Sequence, residues 1–321
     1  MEILVGFEHN YVMPYGVMFQ SLVYNNPNET IHVHAIVNES VTNEDKNDLS
    51  KIIKQSSHNR IDFYKFDKGR VKVFPLSSVR HFRESCYYRL YAASILPPEI
   101  DKVIYLDGDM VVRHSISDLW EYDIEDASVA GVTNQTEKVE FYNRLHYPMK
   151  KKYINNGVAI FNLKKWRKEG TEQKFTDMIL KYPERIVNAD QDVMNVVLQD
   201  DKIILPIKYN VQEFFYYQLK YMTFDYWEYQ SEFDLAIKDP IILHYAGPEK
   251  PWLIGCLHPL KDEFFKYRSM TVWKDEPLIK SNSSKGLKQM VRSTIVKIAT
   301  KTGLIKRETK ENKFIQISID N

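Results

Sequence analysis

The chain has 321 residues, of which 44% are hydrophobic and 13% aromatic, enough to bury one large core or two modest ones. A net charge of +1 argues against nucleic acid as a partner, and two cysteines, Cys86 and Cys256, argue against a disulfide framework and for a reducing compartment. No apolar run approaches the ~20 residues that span a bilayer, and the opening Met1-Glu2-Ile3-Leu4-Val5-Gly6 lacks the basic and long apolar stretches of a secretion signal, so a cytoplasmic or peripheral protein is expected.

In chain order, short β-branched or aromatic runs at 3–7, 31–37, 61–66 and 103–106 predict strands. Between the first two, Val17, Leu22 and Val23 predict a short amphipathic helix. Residues 43–54 open with acidic side chains and place Leu49, Ile52 and Ile53 on one helical face. This alternation predicts a mostly parallel sheet covered by helices, with a ligand at the C-terminal ends of the strands. Further strands are expected at 127–132, 157–163, 202–206 and 241–244, and a helix at 192–199 with Val193, Val196 and Val197 apolar. No Gly/Ser-rich linker precedes residue 275, so one domain over 1–274 is expected, followed by a separate extension over 275–321.

Two carboxylates, Asp107 and Asp109, interrupt the apolar run from Val103 to Val112. On a continuous strand they would share a face with Cα atoms ~7 Å apart. Buried there, they need a cation, a metal or a hydrogen-bond network. Oxygen ligands suit Mg²⁺ or Mn²⁺, which would use the pair to hold a substrate diphosphate. Taken alone, the motif fits equally well a strand that ends at Leu106 and an Asp-Gly-Asp turn.

Several separated segments place polar side chains at strand ends or sharp turns. They are Phe7-Glu8-His9-Asn10-Tyr11, Tyr88-Arg89-Leu90, Tyr105-Leu106-Asp107-Gly108-Asp109, Asn155-Asn156-Gly157-Val158 followed by Phe161-Asn162-Leu163-Lys164-Lys165-Trp166, Asp190-Gln191-Asp192, and His244-Tyr245-Ala246-Gly247-Pro248-Glu249-Lys250-Pro251-Trp252. In this order and spacing the chain resembles glycosyltransferase family 8, the GT-A-type enzymes that include bacterial lipopolysaccharide galactosyltransferases and glucosyltransferases and, more distantly, glycogenin. The resemblance implies an α/β fold: a single GT-A domain, Rossmann-like, with a mixed, mostly parallel sheet. It also implies a metal-dependent retaining transferase that moves glucose or galactose from UDP-glucose or UDP-galactose to a saccharide or lipid-linked glycan.

The same resemblance assigns residues. Asp107, Asp109 and His244 are expected to hold the metal, with Gly108 between the carboxylates; imidazole beside carboxylates suits Mn²⁺ better than Mg²⁺. Gly247 is expected to let a phosphate approach backbone N–H groups, Lys250 to add a charge for the diphosphate, and Arg89 to stand by the diphosphate and sugar. Gly6, Glu8, Asn10 and Tyr11 follow or end strand one, where base and ribose are expected. Glu8 replaces the Asp common in the family, and Gly6 a small residue such as Ala. Asn134 falls where many members carry an Asp that binds the donor sugar. Asn155, Asn156, Asp190 and Gln191 are expected to line the donor, with Asn155, Asp190 and Gln191 nearest the reacting carbon. Asp190 would hold sugar hydroxyls, and Gln191 would support oxocarbenium character. A neutral amide is a poor nucleophile, so same-face attack is favoured over a covalent intermediate, the leaving phosphate taking the acceptor proton. An acidic helix start that satisfies the macrodipole is a second role open to Asp190.

From Lys274 onward eleven Lys/Arg face five Asp/Glu. Residues 285–305 read as an amphipathic basic helix with Leu287, Met290, Val291, Ile295, Ile298 and Ile305 on one face. Such a helix fits an anionic surface, here the inner face of a bacterial membrane, or a dock on the catalytic core. Two rival functions stand beside the transferase: a glycoside hydrolase with paired carboxylates flanking a sugar, and a catalytically silent UDP-sugar-binding module recruited to the membrane.

Overall fold

The computed structural model describes residues 1–75, 84–134, 139–216, 226–248 and 250–280. Among the described residues, ten strands fall in two sheets: β1 (Glu2–Phe7), β2 (His32–Val37), β3 (Arg60–Lys65), β4 (Lys102–Leu106), β5 (Met110–Val112), β6 (Val129–Thr133), β7 (Ile154–Asn162), β8 (Lys202–Ile204), β9 (Val211–Gln212) and β10 (Ile242–His244). The large sheet runs β3-β2-β1-β4-β7-β6-β8 and the small one β5-β10-β9. β1 pairs in parallel with β2 and β4, β2 with β3, and β6 with β8, while β7 is antiparallel to both of its neighbours. The expected mixed, mostly parallel sheet is therefore what forms.

Helices cover the sheet as the apolar spacing requires. The helix Val12–Asn25 buries Tyr15, Met18, Phe19 and Leu22 in the largest core cluster, and on its other side Val17 joins Val111 and Leu243 in another cluster. The helix Asn43–Ile53 opens on a capping box: the Thr42 hydroxyl accepts from Asp45 N at 3.1 Å, and the Asp45 carboxylate accepts from Thr42 N at 2.8 Å. It buries Leu49, Ile52 and Ile53, the face expected from the sequence.

The run around Asp107 resolves as two strands with a break between them. β4 stops at Leu106 and β5 starts at Met110, so residues 107–109 carry the chain from the large sheet to the small one. The turn reading holds for the backbone, yet both carboxylates still face one site. Asp107 N donates to Gly157 O at 2.9 Å and Tyr245 N to Asp109 O at 2.8 Å, which tethers both ends of the break.

Two further boundaries differ from expectation. β7 begins at Ile154, not at 157, because the buried amides of Asn155 and Asn156 find hydrogen-bond partners that make them tolerable inside a strand. The helix expected at 192–199 spans Ala189–Val197 and is entered through Ala189 at φ 46°, a left-handed conformation unusual for a residue with a Cβ. Asp192 anchors that entry, accepting from Val187 N and Asn188 N at 2.7 Å each and from the Tyr153 hydroxyl at 2.6 Å. Arg89 lies in the 3-10 segment Glu84–Tyr91.

Opposite β6 the register of β7 jumps: Gly131 faces Ala159, but Val132 faces Asn155, leaving Asn156, Gly157 and Val158 without partners in β6. At the other end of the chain, Ile279 N donates to Trp252 O at 2.9 Å and Ile254 N to Ile279 O at 3.0 Å, so packing against the body continues past residue 275. The helix expected at 285–305 lies outside the described residues. Among the described residues, no helix is long and apolar enough to cross a membrane.

Candidate active site

The C-terminal ends of β4 and β10 and the start of β7 converge on one buried polar site. His244 closes β10, and its Nε2 lies 3.2 Å from Asp109 Oδ1 and 3.9 Å from Asp107 Oδ2. One ligand atom from each of the three residues lies within 4.8 Å of the others. Gly157 makes this convergence possible: a Cβ there would stand 2.4 Å from His244 Cε1 and 2.7 Å from Asp107 Oδ2. Two carboxylates and an imidazole form a donor set that fits Mn²⁺. The three residues expected from the sequence as metal ligands are thus brought together.

Two buried cations balance the carboxylates. Arg89 donates from Nη2 to Asp107 Oδ1 at 2.9 Å and from Nη1 to Asn156 O at 2.9 Å. Its Nε stands 3.1 Å from Asp190 Oδ2 but is not aligned for a hydrogen bond, so that contact is ionic. The guanidinium also stacks over Tyr105, 3.9 Å from the ring centroid, and Tyr105 donates its hydroxyl to Asp107 Oδ1 at 2.9 Å. Lys250 donates to Asp109 Oδ2 and, at 2.6 Å, to Tyr245 O. Burial opposes ionisation of Asp109, but Lys250 and His244 outweigh it and hold this carboxyl well below the usual range. Lys250 is likewise pushed up: burial favours the neutral amine, and the Asp109 charge more than offsets that.

Behind the carboxylates lies a chain of amides. His244 Nδ1 is 2.9 Å from Asn210 Oδ1, and Asn210 Nδ2 donates to Asn155 Oδ1 at 2.9 Å. Asn155 in turn donates to Gln191 Oε1 at 3.1 Å and to Asn134 Oδ1 at 3.4 Å. Asn156 donates to Asp190 Oδ2 at 2.6 Å. Burial raises the Asp190 carboxyl to about 6; Arg89 pulls against that rise and the Asp107 charge adds to it. Asn134, Asn155, Asn156, Asp190 and Gln191 therefore form one network with the ligand set.

Asn210, just before β9, is the member that the sequence reading missed, because a lone Asn in a turn carries no distinguishing pattern. Tyr105 was visible only as part of a motif. Gly6, Glu8, Asn10 and Tyr11 occupy the end of β1 and the 3-10 turn beyond it, with Tyr11 edge-on to Trp252 at 6.1 Å. Gly108 is required by Tyr15, whose ring a Cβ would meet at 2.7 Å. At Gly247 a Cβ would meet the buried Glu213 carboxylate at 1.6 Å, so the close approach of that side chain requires glycine here.

A family model described as glycosyl transferase family 8 matches residues 2–255. Among curated relatives, General stress protein A of Bacillus subtilis (strain 168) is 29% identical over 276 residues, which cover 85% of this chain and 94% of that protein. The lipopolysaccharide glucosyltransferase WaaO of Escherichia coli (strain K12) is 27% identical over 305 residues, covering 92% and 86%. Among solved structures, a galactosyltransferase, LgtC, determined in complex with donor and acceptor sugar analogues, superimposes with a TM-score of 0.76 at 21% identity, covering 90% of this chain and 100% of that one. The two share a fold.

Proposed function

Because the chain belongs to glycosyl transferase family 8 and is a glycosyltransferase of GT-A fold, we propose that it transfers glucose or galactose, with retention, from a UDP-sugar to a saccharide or lipid-linked glycan. The observation that carries this reading is the convergence of Asp107, Asp109 and His244 beside two buried cations, Arg89 and Lys250. Cations so placed match a diphosphate, and a hydrolase that only cleaves a sugar has no use for them.

Asp107, Asp109 and His244 would hold Mn²⁺, which when bound neutralises charge on a diphosphate and so favours departure of UDP. Lys250, now on Asp109, is within reach of the same region as a point charge for phosphate. Arg89 fixes Asp107 and Asp190 relative to one another, so the ligand set and the sugar site are one rigid unit. Asp190 accepts from sugar hydroxyls, and Gln191, held through Asn155, supports positive charge at the reacting carbon. The acceptor proton passes to the leaving phosphate, since the amide of Gln191 has no basic lone pair to take it. Glu8, Asn10 and Tyr11, at the end of β1, lie where a nucleotide base and ribose would extend from the diphosphate.

The division of the chain into a catalytic domain and a basic extension is part of the same proposal. The apolar stripe and basic surplus of 285–305 support a peripheral position on an anionic membrane, the inner face in a bacterium. The reading is tested by a screen of UDP-hexose donors against saccharide and lipid-linked acceptors with Mn²⁺ or Mg²⁺ and NMR of the product linkage. Transfer with an axial product from an axial donor linkage is expected. Tight UDP binding without turnover across the screen would favour the silent module.

A further inference from the structure

At the opposite end of the strands, away from the active site, β1 and β2 pair in register so that Glu2 lies beside His32, and β2 with β3 so that His34 lies beside Asp62. Alternate residues of a strand share a face. His32 and His34 therefore stand side by side, ring centroids 3.8 Å apart, with 6% and 0% of their surface exposed. His32 Nδ1 is 2.7 Å and His34 Nε2 2.6 Å from the same atom, Glu2 Oε2. The outer ring nitrogens are engaged as well: His32 Nε2 lies 2.7 Å from Asp62 Oδ2, and His34 Nδ1 lies 3.0 Å from the Tyr64 hydroxyl.

These contacts bear on which nitrogens carry protons. An imidazole that gives its outer N–H to a carboxylate or hydroxyl turns a lone pair inward, the arrangement that orients histidines on metals. For His32 there is independent support: Arg60 Nη2 is 3.1 Å from Nδ1, and a guanidinium can only donate, so that inner nitrogen stands as an acceptor. His34 Nε2, 2.6 Å from a carboxylate oxygen that can only accept, holds its proton there while the Tyr64 hydroxyl donates to Nδ1, and a binding ion would displace that proton. Arg60, exposed on β3, also stands 3.8 Å from Asp62 Oδ2, so its charge lies at the outer edge of the cluster.

We propose that Glu2, His32 and His34 form a second metal site, for a divalent ion of the zinc class. Two imidazoles and one carboxylate are a donor set for tetrahedral Zn²⁺, with water in the fourth position. The three ligand atoms lie within 4.8 Å of one another. Glu2, whose side chain is 28% exposed, is the ligand able to shift outward as the ion enters. Such an ion would pin β1 to β2 at the end of the sheet remote from the donor site, a structural role independent of transfer.

The test uses full-length protein carrying Asp109→Asn and His244→Ala, which removes two ligands of the active-site cluster, stripped with a chelator and titrated with Zn²⁺ by calorimetry and with Co²⁺ by visible absorption. One equivalent of Zn²⁺ and intense tetrahedral Co²⁺ bands are expected. Adding Glu2→Gln or His32→Gln should weaken Zn²⁺ at least tenfold and abolish the bands. Glu2→Gln alters a half-exposed first residue of a strand, so its fold, followed by circular dichroism, should persist even if the buried His32→Gln does not fold. Absence of stoichiometric Zn²⁺ in the parent protein, or unchanged affinity in folded Glu2→Gln, would overturn the proposal and leave a proton-linked histidine cluster.

Discussion

His244 donates its Nδ1 proton to Asn210 Oδ1 across 2.9 Å, and the tautomer follows from the next link in the chain. The Asn210 amide nitrogen is committed to Asn155 Oδ1, so only its oxygen can face the ring. With Nδ1 committed to Asn210, Nε2 is the nitrogen that faces Asp109 and the one that would ligate a bound ion. Replacing Asn210 by Leu should leave all three ligands in place yet lower Mn²⁺ affinity about 10- to 100-fold, the usual effect of removing a partner that orients a ligating histidine. Asn210→Asp, which keeps an acceptor, should recover most of it. Calorimetry of Mn²⁺ in the presence of UDP gives the answer, and equal affinity in Asn210→Leu would show that His244 is oriented by packing alone.

Asp109 serves both as a ligand and as the counterion of buried Lys250. Asp109→Ala should weaken Mn²⁺-dependent UDP binding by about 1–3 kcal/mol, the scale of an unpaired buried polar partner. Undiminished affinity for Mn²⁺ in that variant would remove Asp109 from the ligand set.

Gln191 Oε1 already accepts from Asn155, which points its amide without making it a nucleophile. Gln191→Ala should lose rate but still transfer with retention. A stoichiometric sugar adduct on Gln191, detected by mass spectrometry in the parent enzyme, would reverse this assignment.

Burial holds the Asp190 carboxyl at about 6, whereas an unfolded chain releases this proton near ~4. Between those values the folded state keeps a proton that the unfolded state has lost, so the contribution of Asp190 to stability declines as pH rises through the window and is constant above it. Activity should run the other way, because only the ionised group can accept from two sugar hydroxyls. Transfer should fall as pH drops below about 6, and Asp190→Asn should lose both that limb and the opposing stability slope. Paired pH profiles of rate and of thermal midpoint decide it; an unchanged acid limb in Asp190→Asn would assign the titration elsewhere.

Ending the chain after Lys280 preserves the pairing of Ile279 with Trp252 and Ile254 while removing the basic extension. The shortened protein should keep UDP binding and lose sedimentation with anionic vesicles at low salt, since each basic residue near such a surface adds roughly 1 kcal/mol. Full-length protein that ignores anionic vesicles would sink the membrane assignment.

Much of this was legible in the residues themselves. Asp107, Asp109 and His244 stand at the ends of apolar runs, where a charge or imidazole has no structural excuse, and the fold gathers all three. The strands β1 to β4 and the helix Asn43–Ile53 follow their apolar spacing to within a residue or two. What escaped was whatever long-range hydrogen bonding decides. The strand start at Ile154-Asn155-Asn156 is invisible locally, because the partners that satisfy its two buried amides, Asn134, Asn210, Asp190 and Gln191, lie far away in the chain. Ala189 carries no sign of its left-handed backbone, which Asp192 imposes through the two N–H groups just upstream. Nothing local to Gly247 reveals that Glu213 packs against it.

The jump in register on β7 places a constraint on how this protein can vary in length. Asn155 lies on the last paired position before the jump and serves His244 through Asn210, while Asn156, one step on, serves Asp190 and lends its carbonyl to Arg89. Gly157, next again, is the residue against which the ligands close. Deleting or inserting a single residue here would hand each position the neighbour's task, placing a side chain where only hydrogen fits. The count of residues from Ile154 to Val158 therefore cannot change, and tolerated insertions should gather in the loop before Ile154.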